Sequence, residues 1–342
     1  VLKEKIWGGD ALNRKYKRKL PSNKIGESWE IACHSSGMSV VKNGELKGKT
    51  LQSLIDTYGR DLLGNALSEQ QIKKFPLLIK FLDASDVLSV QVHPGDEYAF
   101  KYENGELGKT EMWYVIDAKP GASLIYGIKQ GITRKEFSNA ILSGDVEHCL
   151  NKLEVQAGDV VYIPAGMVHA IGEGILICEI QQNSDTTYRV YDWNRVDDNG
   201  NQRELHIKQA LDVIDFDGKY NRQKITGLSV ENDGNIHTYY IANKYFAVEK
   251  LNITGPLNDK ADGQKFSTFT VVEGKGSILY ADGNEQFTAG QSFMIPACLG
   301  DYTIDGKCSV VKAYVPDIEN DIIKPLEHCG FTREQMNCIA GL

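Results

Sequence analysis

The sequence predicts a mainly β protein, and two observations support this fold class. Most of the chain reads as short runs of β-branched and aromatic residues, each bounded by Gly, Pro, Asn or Asp, which is typical of antiparallel sandwiches and barrels. In addition, one motif occurs twice, at residues 157–165 (AGDVVYIPA) and 289–297 (AGQSFMIPA). Two copies of one β unit are therefore expected.

The repeated motif is a turn followed by a strand and an Ile-Pro-Ala stop, and it resembles the second signature of the cupin fold, a small double-sheet jelly roll. Similar stretches, SLIY at 123–126 and SILY at 277–280, precede the two copies. We therefore predict two cupin-type jelly-roll barrels with a few decorating helices. A metal-binding catalytic domain is expected at 1–235, and a C-terminal domain without metal ligands at 236–342.

Helical patterns are confined to three segments of the chain. Apolar residues recur at helical spacing after Thr50, and Thr133 and Glu136 have the spacing of a capping box. A third apolar stripe begins at Ile207. The sequence thus predicts helices near 50–73, 130–152 and 204–216 that cover the sheets.

Composition and charge exclude several classes of partner. The 342 residues include 38 Lys and Arg against 46 Asp and Glu, a net charge of −8, which argues against a broad nucleic-acid surface. No apolar run reaches the roughly 20 residues that span a bilayer, and the first residues lack the pattern of a signal peptide. Seven cysteines without a C-x-x-C pair indicate buried thiols in a reducing compartment. We therefore expect a cytoplasmic protein without nucleic-acid or membrane partners.

Several polar residues occupy positions where a barrel would bury them. Gln91 and His93 alternate with apolar neighbours and are predicted to share one face of a strand, and Lys109 and Glu111 to share a face of a neighbouring strand. His169 follows the first Ile-Pro-Ala stop. Burying these groups together is costly unless they bind something. Two imidazoles and a carboxylate are a ligand set for zinc, and the same set could hold Fe(II).

A long polar and aromatic segment, 181–195, follows a predicted strand. It contains Arg189, a fixed planar donor that can polarise a sugar oxygen or clamp a phosphate. It also contains Asp185, which could exchange a proton or bind a hydroxyl group. The remaining histidines have no partners at ligand spacing and are interpreted as structural: His34, His148, His206, His237 and His328.

Four motifs together closely resemble the type I mannose-6-phosphate isomerases (phosphomannose isomerases) in their short bacterial form: QVHP at 91–94, GKTEMWY at 108–114, IPAGMVH at 163–169 and SDTTYRVYD at 184–192. Members of this family are zinc enzymes of mannose metabolism that interconvert mannose 6-phosphate and fructose 6-phosphate. By matching position, the resemblance implies one Zn²⁺ per chain, held by Gln91, His93, Glu111 and His169. It also implies that Arg189 is catalytic and that Lys109 and Asp185 lie close to the substrate.

The resemblance leaves several choices open. The proton-transfer base could be Lys109, Asp185 or a zinc-bound water. The phosphate of the substrate could be bound by Ser85 or Lys80, and the chain could be a monomer or a homodimer. Two other readings compete with the isomerase, namely a metal-dependent cupin oxygenase, which predicts iron dependence, and a non-catalytic sugar-binding cupin.

Overall fold

The computed structural model describes residues 1–196, 200–218 and 224–342, and strands dominate this part of the chain. The protein is therefore mainly β, as predicted. In chain order the strands of the first half are β1 (Leu2–Gly9), β2 (Ile25–Ile31), β3 (Cys33–His34), β4 (Gly37–Met38), β5 (Leu77–Ala84), β6 (Val90–Val92), β7 (Glu111–Ala118), β8 (Ser123–Ile128), β9 (Leu150–Glu154), β10 (Val160–Ile163), β11 (His169–Ile171), β12 (Ile175–Gln182) and β13 (Tyr188–Tyr191). Those of the second half are β14 (Leu228–Asn232), β15 (Asn235–Ala242), β16 (Ala247–Ile253), β17 (Leu257–Ala261), β18 (Ser267–Tyr280), β19 (Gly283–Thr288), β20 (Ser292–Ile295) and β21 (Gly300–Tyr314).

The strands form three larger sheets and one two-stranded ladder. One sheet has the order β1-β2-β5-β12-β7-β10, and a second has the order β13-β6-β11-β8-β9. The third follows β14-β15-β16-β21-β18-β19, with β17 paired to β21 and β20 paired to β18, and β3 pairs with β4. The ladders are antiparallel, so the sheets belong to the class that the short, turn-bounded runs predict.

Helices are short and few. They are α1 (Ala11–Tyr16), α2 (Leu51–Leu63), α3 (Glu69–Lys73), α4 (Asp96–Tyr102), α5 (Arg134–Ser143), α6 (Ile207–Val213), α7 (Lys324–His328) and α8 (Arg333–Met336), with a 3-10 turn at Val146–Cys149 and a π-helical turn at Ile318–Ile323. Helices lie in each of the three segments with helical patterns. In the described part of the chain, no helix is long and apolar enough to cross a membrane.

Local chemistry explains where these helices begin and end. The Thr50 side chain accepts the backbone N–H of Ser53 at the start of α2, and Gly59, with φ of 48°, interrupts this helix. The predicted capping box opens α5, because Thr133 accepts from the backbone of Glu136 while the Glu136 side chain accepts from that of Thr133. Gly144, in the left-handed region, then ends α5.

The chain divides into two compact units. One comprises residues 2–28 and 81–224, and the other comprises residue 1, residues 29–80 and residues 225–342. In the first unit, apolar cores form around the rings of Trp113 and Phe137, and in the second around Phe269. The domain division at residue 235 stays a prediction.

Both copies of the sequence repeat are built alike. In the first, SLIY lies in β8 and the Ile-Pro-Ala stop follows β10; in the second, SILY lies in β18 and the stop follows β20. The cysteine prediction is wrong in part. All seven side chains are thiols, but Cys298 and Cys329 are exposed and Cys338 is only partly buried.

Candidate metal centre

Three buried side chains with ligand atoms converge in the unit of residues 2–28 and 81–224. His93 follows β6 directly, His169 opens β11 and Glu111 opens β7, and none is more than 1% exposed. Glu111 Oε1 lies 3.2 Å from His93 Nε2, and Glu111 Oε2 lies 3.8 Å from His169 Nε2. Within the described residues this is the only group of three His, Cys, Asp or Glu side chains arranged to hold a metal ion.

The alternation predicted that the strand carrying Glu111 is a neighbour of the strand carrying Gln91. In the structure these two strands are not neighbours. Glu111 belongs to β7 of the six-stranded sheet, and Gln91 belongs to β6 of the five-stranded sheet. Lys109 lies before β7, outside the strand. Alternation defines the face of one strand and carries no information on which sheet that strand joins, so this expectation was wrong.

Backbone carbonyls orient both imidazoles. His93 donates from Nδ1 to the carbonyl oxygen of Thr186 at 2.9 Å, and His169 donates from Nδ1 to that of Met167 at 2.8 Å. A carbonyl oxygen can only accept, so the proton is on Nδ1 in both rings and the lone pair is on Nε2. Both lone pairs therefore face the Glu111 carboxylate, which is the arrangement that metal-binding histidines need.

The electrostatics of the centre keep its ligand atoms in the forms that bind a cation. Both oxygens of Glu111 are fully buried, and their polar neighbours are the Lys109 ammonium and the two imidazoles. Burial would raise the pKa of Glu111, but the Lys109 ammonium, 2.8 Å from Oε1, holds it well below its usual range. Burial, reinforced by Lys109, lowers the pKa of His93 to about 3, and burial also lowers that of His169. An ionised carboxylate and two neutral imidazoles fit a divalent metal ion.

A row of polar side chains crosses the five-stranded sheet beside this centre. Tyr126, His169, Gln91 and Arg189 are directly opposite one another on β8, β11, β6 and β13, and opposite residues of an antiparallel ladder share one face. The Gln91 amide nitrogen lies 3.3 Å from His169 Nε2. The structure thus brings Gln91 and Arg189 to the face that carries His169.

Arg189 is half-buried and held by backbone and side-chain groups of the next segment. Its Nη1 donates to the carbonyl oxygen of Glu204 at 2.7 Å, and its backbone N–H donates to Nδ1 of His206. Its Nε is buried without a hydrogen-bond partner. Burial lowers its pKa, and the nearby charge of Arg203 adds to this effect. His206 therefore contacts a predicted catalytic residue, which its sequence spacing did not indicate.

Lys109 and Asp185 differ in environment. Lys109 is 5% exposed, and its Nζ lies 3.2 Å from His93 Nε2. Burial would lower the pKa of Lys109, but the carboxylates of Glu111, Glu179 and Asp185 outweigh it and raise the pKa. The Asp185 carboxylate is 40% exposed and lies 3.9 Å from Lys3 Nζ.

Sequence reasoning did not assign a role to two buried polar residues of β12, although one of them, Gln181, begins the polar segment 181–195. Gln181 is directly opposite Glu111, and its Nε2 donates to the carbonyl oxygens of Gln182 and Ser184, both at 2.7 Å. Glu179 accepts a hydrogen bond from Trp113 Nε1 at 2.8 Å. The available signal was the alternation of Glu179 and Gln181 with apolar residues in an otherwise apolar strand.

The second copy of the repeat has other residues at the matching positions. On β10, Ile163 is opposite Glu111 of β7, whereas on β20 the equivalent Ile295 is opposite Ser267 of β18. The position that corresponds to His169 is taken by Asp301, whose side chain is 86% exposed. The metal-ligand types of the first copy are therefore replaced at both positions.

The two residues suggested for the phosphate lie in other surroundings. Ser85 lines a cavity of about 420 Å³ together with Ala118 at the end of β7. Glu111 begins the same strand, seven residues away, which is roughly 23 Å at about 3.3 Å per residue. Lys80 is buried, with its ammonium over the ring of Trp29. Ser85 is therefore at the wrong end of β7 to serve a ligand at the metal centre.

Comparisons with known proteins identify the family. Residues 1–115 match the model of the phosphomannose isomerase type I catalytic domain, and residues 235–315 match that of the mannose-6-phosphate isomerase cupin domain. Mannose-6-phosphate isomerase ManA of Bacillus subtilis is 41% identical over 315 residues, which cover 92% of this chain and 97% of the relative. This chain belongs to the type I phosphomannose isomerase family.

Other members of the phosphomannose isomerase family agree over the same span. A mannose-6-phosphate isomerase of Streptococcus mutans is 42% identical over 313 residues, covering 91% of this chain and 95% of the relative. The crystal structure of the mannose 6-phosphate isomerase from Bacillus subtilis superposes with a TM-score of 0.84 at 39% identity, covering 92% of this chain and 97% of that one. The cupin-domain match also extends the likeness into the second copy of the repeat.

Proposed function

We propose that this protein is a metal-dependent isomerase that interconverts D-mannose 6-phosphate and D-fructose 6-phosphate through a cis-enediol. The observation that carries the proposal is the buried group of His93, Glu111 and His169, beside Arg189 and Lys109, in a chain of the type I phosphomannose isomerase family. The reaction moves one proton between C2 and C1 and another between the two oxygens. Negative charge develops on oxygen as the enediol forms.

The proposed metal is zinc, one ion per chain, with Gln91, His93, Glu111 and His169 as its ligands. The donor set of two imidazoles and one carboxylate supports zinc, and the amide of Gln91 lies on the same face. Binding through Gln91 requires its oxygen to face His169, which a half-turn of the amide provides. A bound zinc ion would supply Lewis acidity to the sugar oxygen that becomes negative.

The surrounding residues divide the remaining tasks. Arg189 stays protonated and stabilises the developing oxyanion, because a guanidinium is a poor base. Lys109, whose pKa is raised, is an ammonium near neutral pH and donates protons to the sugar oxygens. An ammonium cannot accept the carbon-bound proton, so we propose Asp185, one of the carboxylates that raise the Lys109 pKa, or a water molecule for that step.

The charge near Arg189 supports an anionic substrate. Arg195 and Arg203 both bind the carboxylate of Asp192, and the charges of both arginines act on Arg189. Guanidinium groups are the donors that suit a phosphate ester.

Several finer features of the fold, the location and the oligomeric state are also proposals. They are two cupin-type jelly-roll barrels, a domain boundary near residue 235, a cytoplasmic location, and a monomer or homodimer as the oligomeric state. The similar placement of the two repeat copies, each with its stop after a short strand, supports the two barrels.

A coupled assay tests the activity and the metal together. Fructose 6-phosphate formation from mannose 6-phosphate is measured before chelation, after chelation and after adding back zinc or Fe(II). Activity that disappears with the chelator and returns with zinc is expected. A zinc-loaded protein without turnover contradicts the isomerase. Oxygen consumption with Fe(II) would then favour the oxygenase reading, and sugar binding alone the non-catalytic one.

A further inference from the structure

The segment 203–206, here called the strap, lies along β13 and touches Arg189 at three points. The carbonyl oxygen of Glu204 accepts from Arg189 Nη1 at 2.7 Å, and His206 Nδ1 accepts from the backbone N–H of Arg189 at 3.2 Å. The backbone N–H of His206 donates to the carbonyl oxygen of Arg189 at 2.8 Å. The strap therefore fixes both the backbone and the guanidinium of Arg189.

A bidentate ion pair ties the strap to the end of β13. Arg203 Nε donates to Asp192 Oδ2 at 2.7 Å, and Arg203 Nη2 donates to Asp192 Oδ1 at 2.5 Å. The Asp192 side chain is only 6% exposed, and its Oδ1 also accepts from Arg195 at 2.7 Å. Parallel hydrogen bonds of this kind fix orientation as well as charge. In this arrangement, Asp192 is the anchor and Arg203 is the residue that fastens the strap to it.

We propose that Arg203 is a positioning residue for Arg189, acting through the strap. The Arg203 guanidinium donates two hydrogen bonds to Asp192. The carbonyl oxygen of the next residue, Glu204, accepts a hydrogen bond from Arg189 Nη1. In this way Arg203 sets the position of the Arg189 guanidinium indirectly, through the backbone of the strap. The kinetic part of this inference rests on the proposed function, because kcat reports on the position of Arg189 only if the protein catalyses the proposed isomerisation.

The geometry makes a specific demand on the residue at position 203. A lysine keeps the positive charge but has one ammonium in place of the planar fork, so it cannot reproduce the paired bonds to both oxygens of Asp192. If charge alone mattered, Arg203→Lys would behave as the unaltered protein does. If the strap must be held in register, Arg203→Lys is impaired almost as much as Arg203→Ala.

A double-mutant cycle tests whether Arg203 acts through Arg189. Steady-state kinetics with mannose 6-phosphate are measured for Arg203→Ala, Arg203→Lys, Arg189→Ala and the double alanine variant. We expect Arg203→Ala to lower kcat about 10- to 100-fold, the range expected from a small misplacement of a catalytic group, with unchanged metal content. The double variant should be within about 2-fold of Arg189→Ala. If the loss of kcat in the double variant is instead the product of the two single-variant losses, Arg203 acts independently of Arg189 and the proposal is overturned.

Arg134→Ala is the matched control. Arg134 on α5 also pairs with an aspartate, Asp212 on α6, through a single 2.9 Å contact in the same unit. Asp212 is on α6, the helix that follows the strap, so removing this exposed pair measures the general effect of losing an arginine ion pair there. We expect kcat within about 2-fold of the unaltered protein, since exposed pairs contribute little.

Amide hydrogen exchange gives a readout that does not need turnover. The backbone N–H groups of Arg189 and His206 are both donors in the contacts that the strap makes with β13. Arg203→Ala should speed exchange in peptides covering these two positions at least about 10-fold, whereas Arg134→Ala should not. If the unaltered protein fails to isomerise the substrate, the proposed function fails. The exchange data still decide whether Arg203 holds the strap in place. Unchanged exchange in Arg203→Ala would overturn the inference in either case.

Discussion

The Nδ1–H of His93 donates to the carbonyl oxygen of Thr186, across a 2.9 Å contact between residues 93 positions apart in the chain. This bond leaves the lone pair of Nε2 facing Glu111. Thr186 belongs to the turn after β12, and Gln181 Nε2 holds that turn through the carbonyl oxygen of Ser184. The orientation of a candidate metal ligand therefore depends on a glutamine that does not itself reach the imidazole.

Replacing His169 by Ala should remove the metal and the activity together. The imidazole supplies one of the three ligand groups, and its loss leaves the Glu111 carboxylate with a single imidazole partner. We expect bound zinc to fall well below one per chain, with affinity reduced more than about 100-fold, beyond the range seen for outer-shell changes. Metal analysis and the coupled assay measure both effects. His328→Ala, at an exposed histidine, is the control, and full zinc occupancy in His169→Ala would exclude His169 as a ligand.

Gln181→Leu should weaken metal binding without removing a ligand. The substitution deletes the two 2.7 Å bonds to Gln182 and Ser184, which frees the turn that orients His93. We expect zinc transfer to a chromophoric chelator to become about 10-fold faster. Gln156→Leu, at an exposed glutamine of the same unit, should transfer zinc at the normal rate. Equal rates in the two variants would show that the turn does not need Gln181.

The metal-free protein should lose stability on acidification because of His93. The pKa of this histidine is lowered to about 3 when folded, against about 6.5 when unfolded, so the unfolded state binds more protons below pH 6.5. Its contribution is present above that pH and decreases as the pH falls towards 3. Between pH 7.5 and 5.5 the free energy of unfolding should fall by about 1.4 kcal/mol for this group. Urea titrations of chelator-treated protein measure it, and His93→Gln should show a correspondingly smaller pH dependence.

Trp113→Phe should destabilise the fold through Glu179. Trp113 is 1% exposed, and its indole N–H donates to the buried carboxylate at 2.8 Å. Removing a hydrogen bond to a charged, buried group costs about 1.5–3 kcal/mol. Denaturant unfolding should show a loss in that range. A change below about 0.5 kcal/mol would mean that Glu179 does not depend on this donor.

Lys312→Met should destabilise the other compact unit while leaving the metal content unchanged. Lys312 Nζ donates to Asp259 Oδ2 at 3.1 Å, and it lies opposite the buried Glu249 on the neighbouring strand. Burial would lower the Lys312 pKa, but these two carboxylates raise it. Because Asp259 is partly exposed, we expect a loss of about 2 kcal/mol, less than for a fully buried pair. Lys260→Met, at an exposed lysine, should change the unfolding free energy by less than about 0.5 kcal/mol.

Local chemistry in the sequence was sufficient for the strand-rich class and for the main helix boundaries. Thr133 and Glu136 form their capping box whatever packs on α5, because both partners lie within one turn. Alternation likewise predicted that Gln91 and His93 share one face of a strand. The sheet to which Glu111 belongs was not predictable in this way, since neighbouring strands are chosen by contacts far apart in the chain.

The same division applies to the candidate site. The sequence by itself determined the ligand types, the paired repeat and the family motifs, because these depend on residue identity and short spacing. Only the tertiary structure decided that Thr186 orients His93, that Gln181 faces Glu111, and that the strap holds Arg189. Each of these contacts joins a strand to a loop or to another strand through a directional hydrogen bond or a ladder register. Such geometry is fixed by the packing of whole sheets and has no signature in residue spacing.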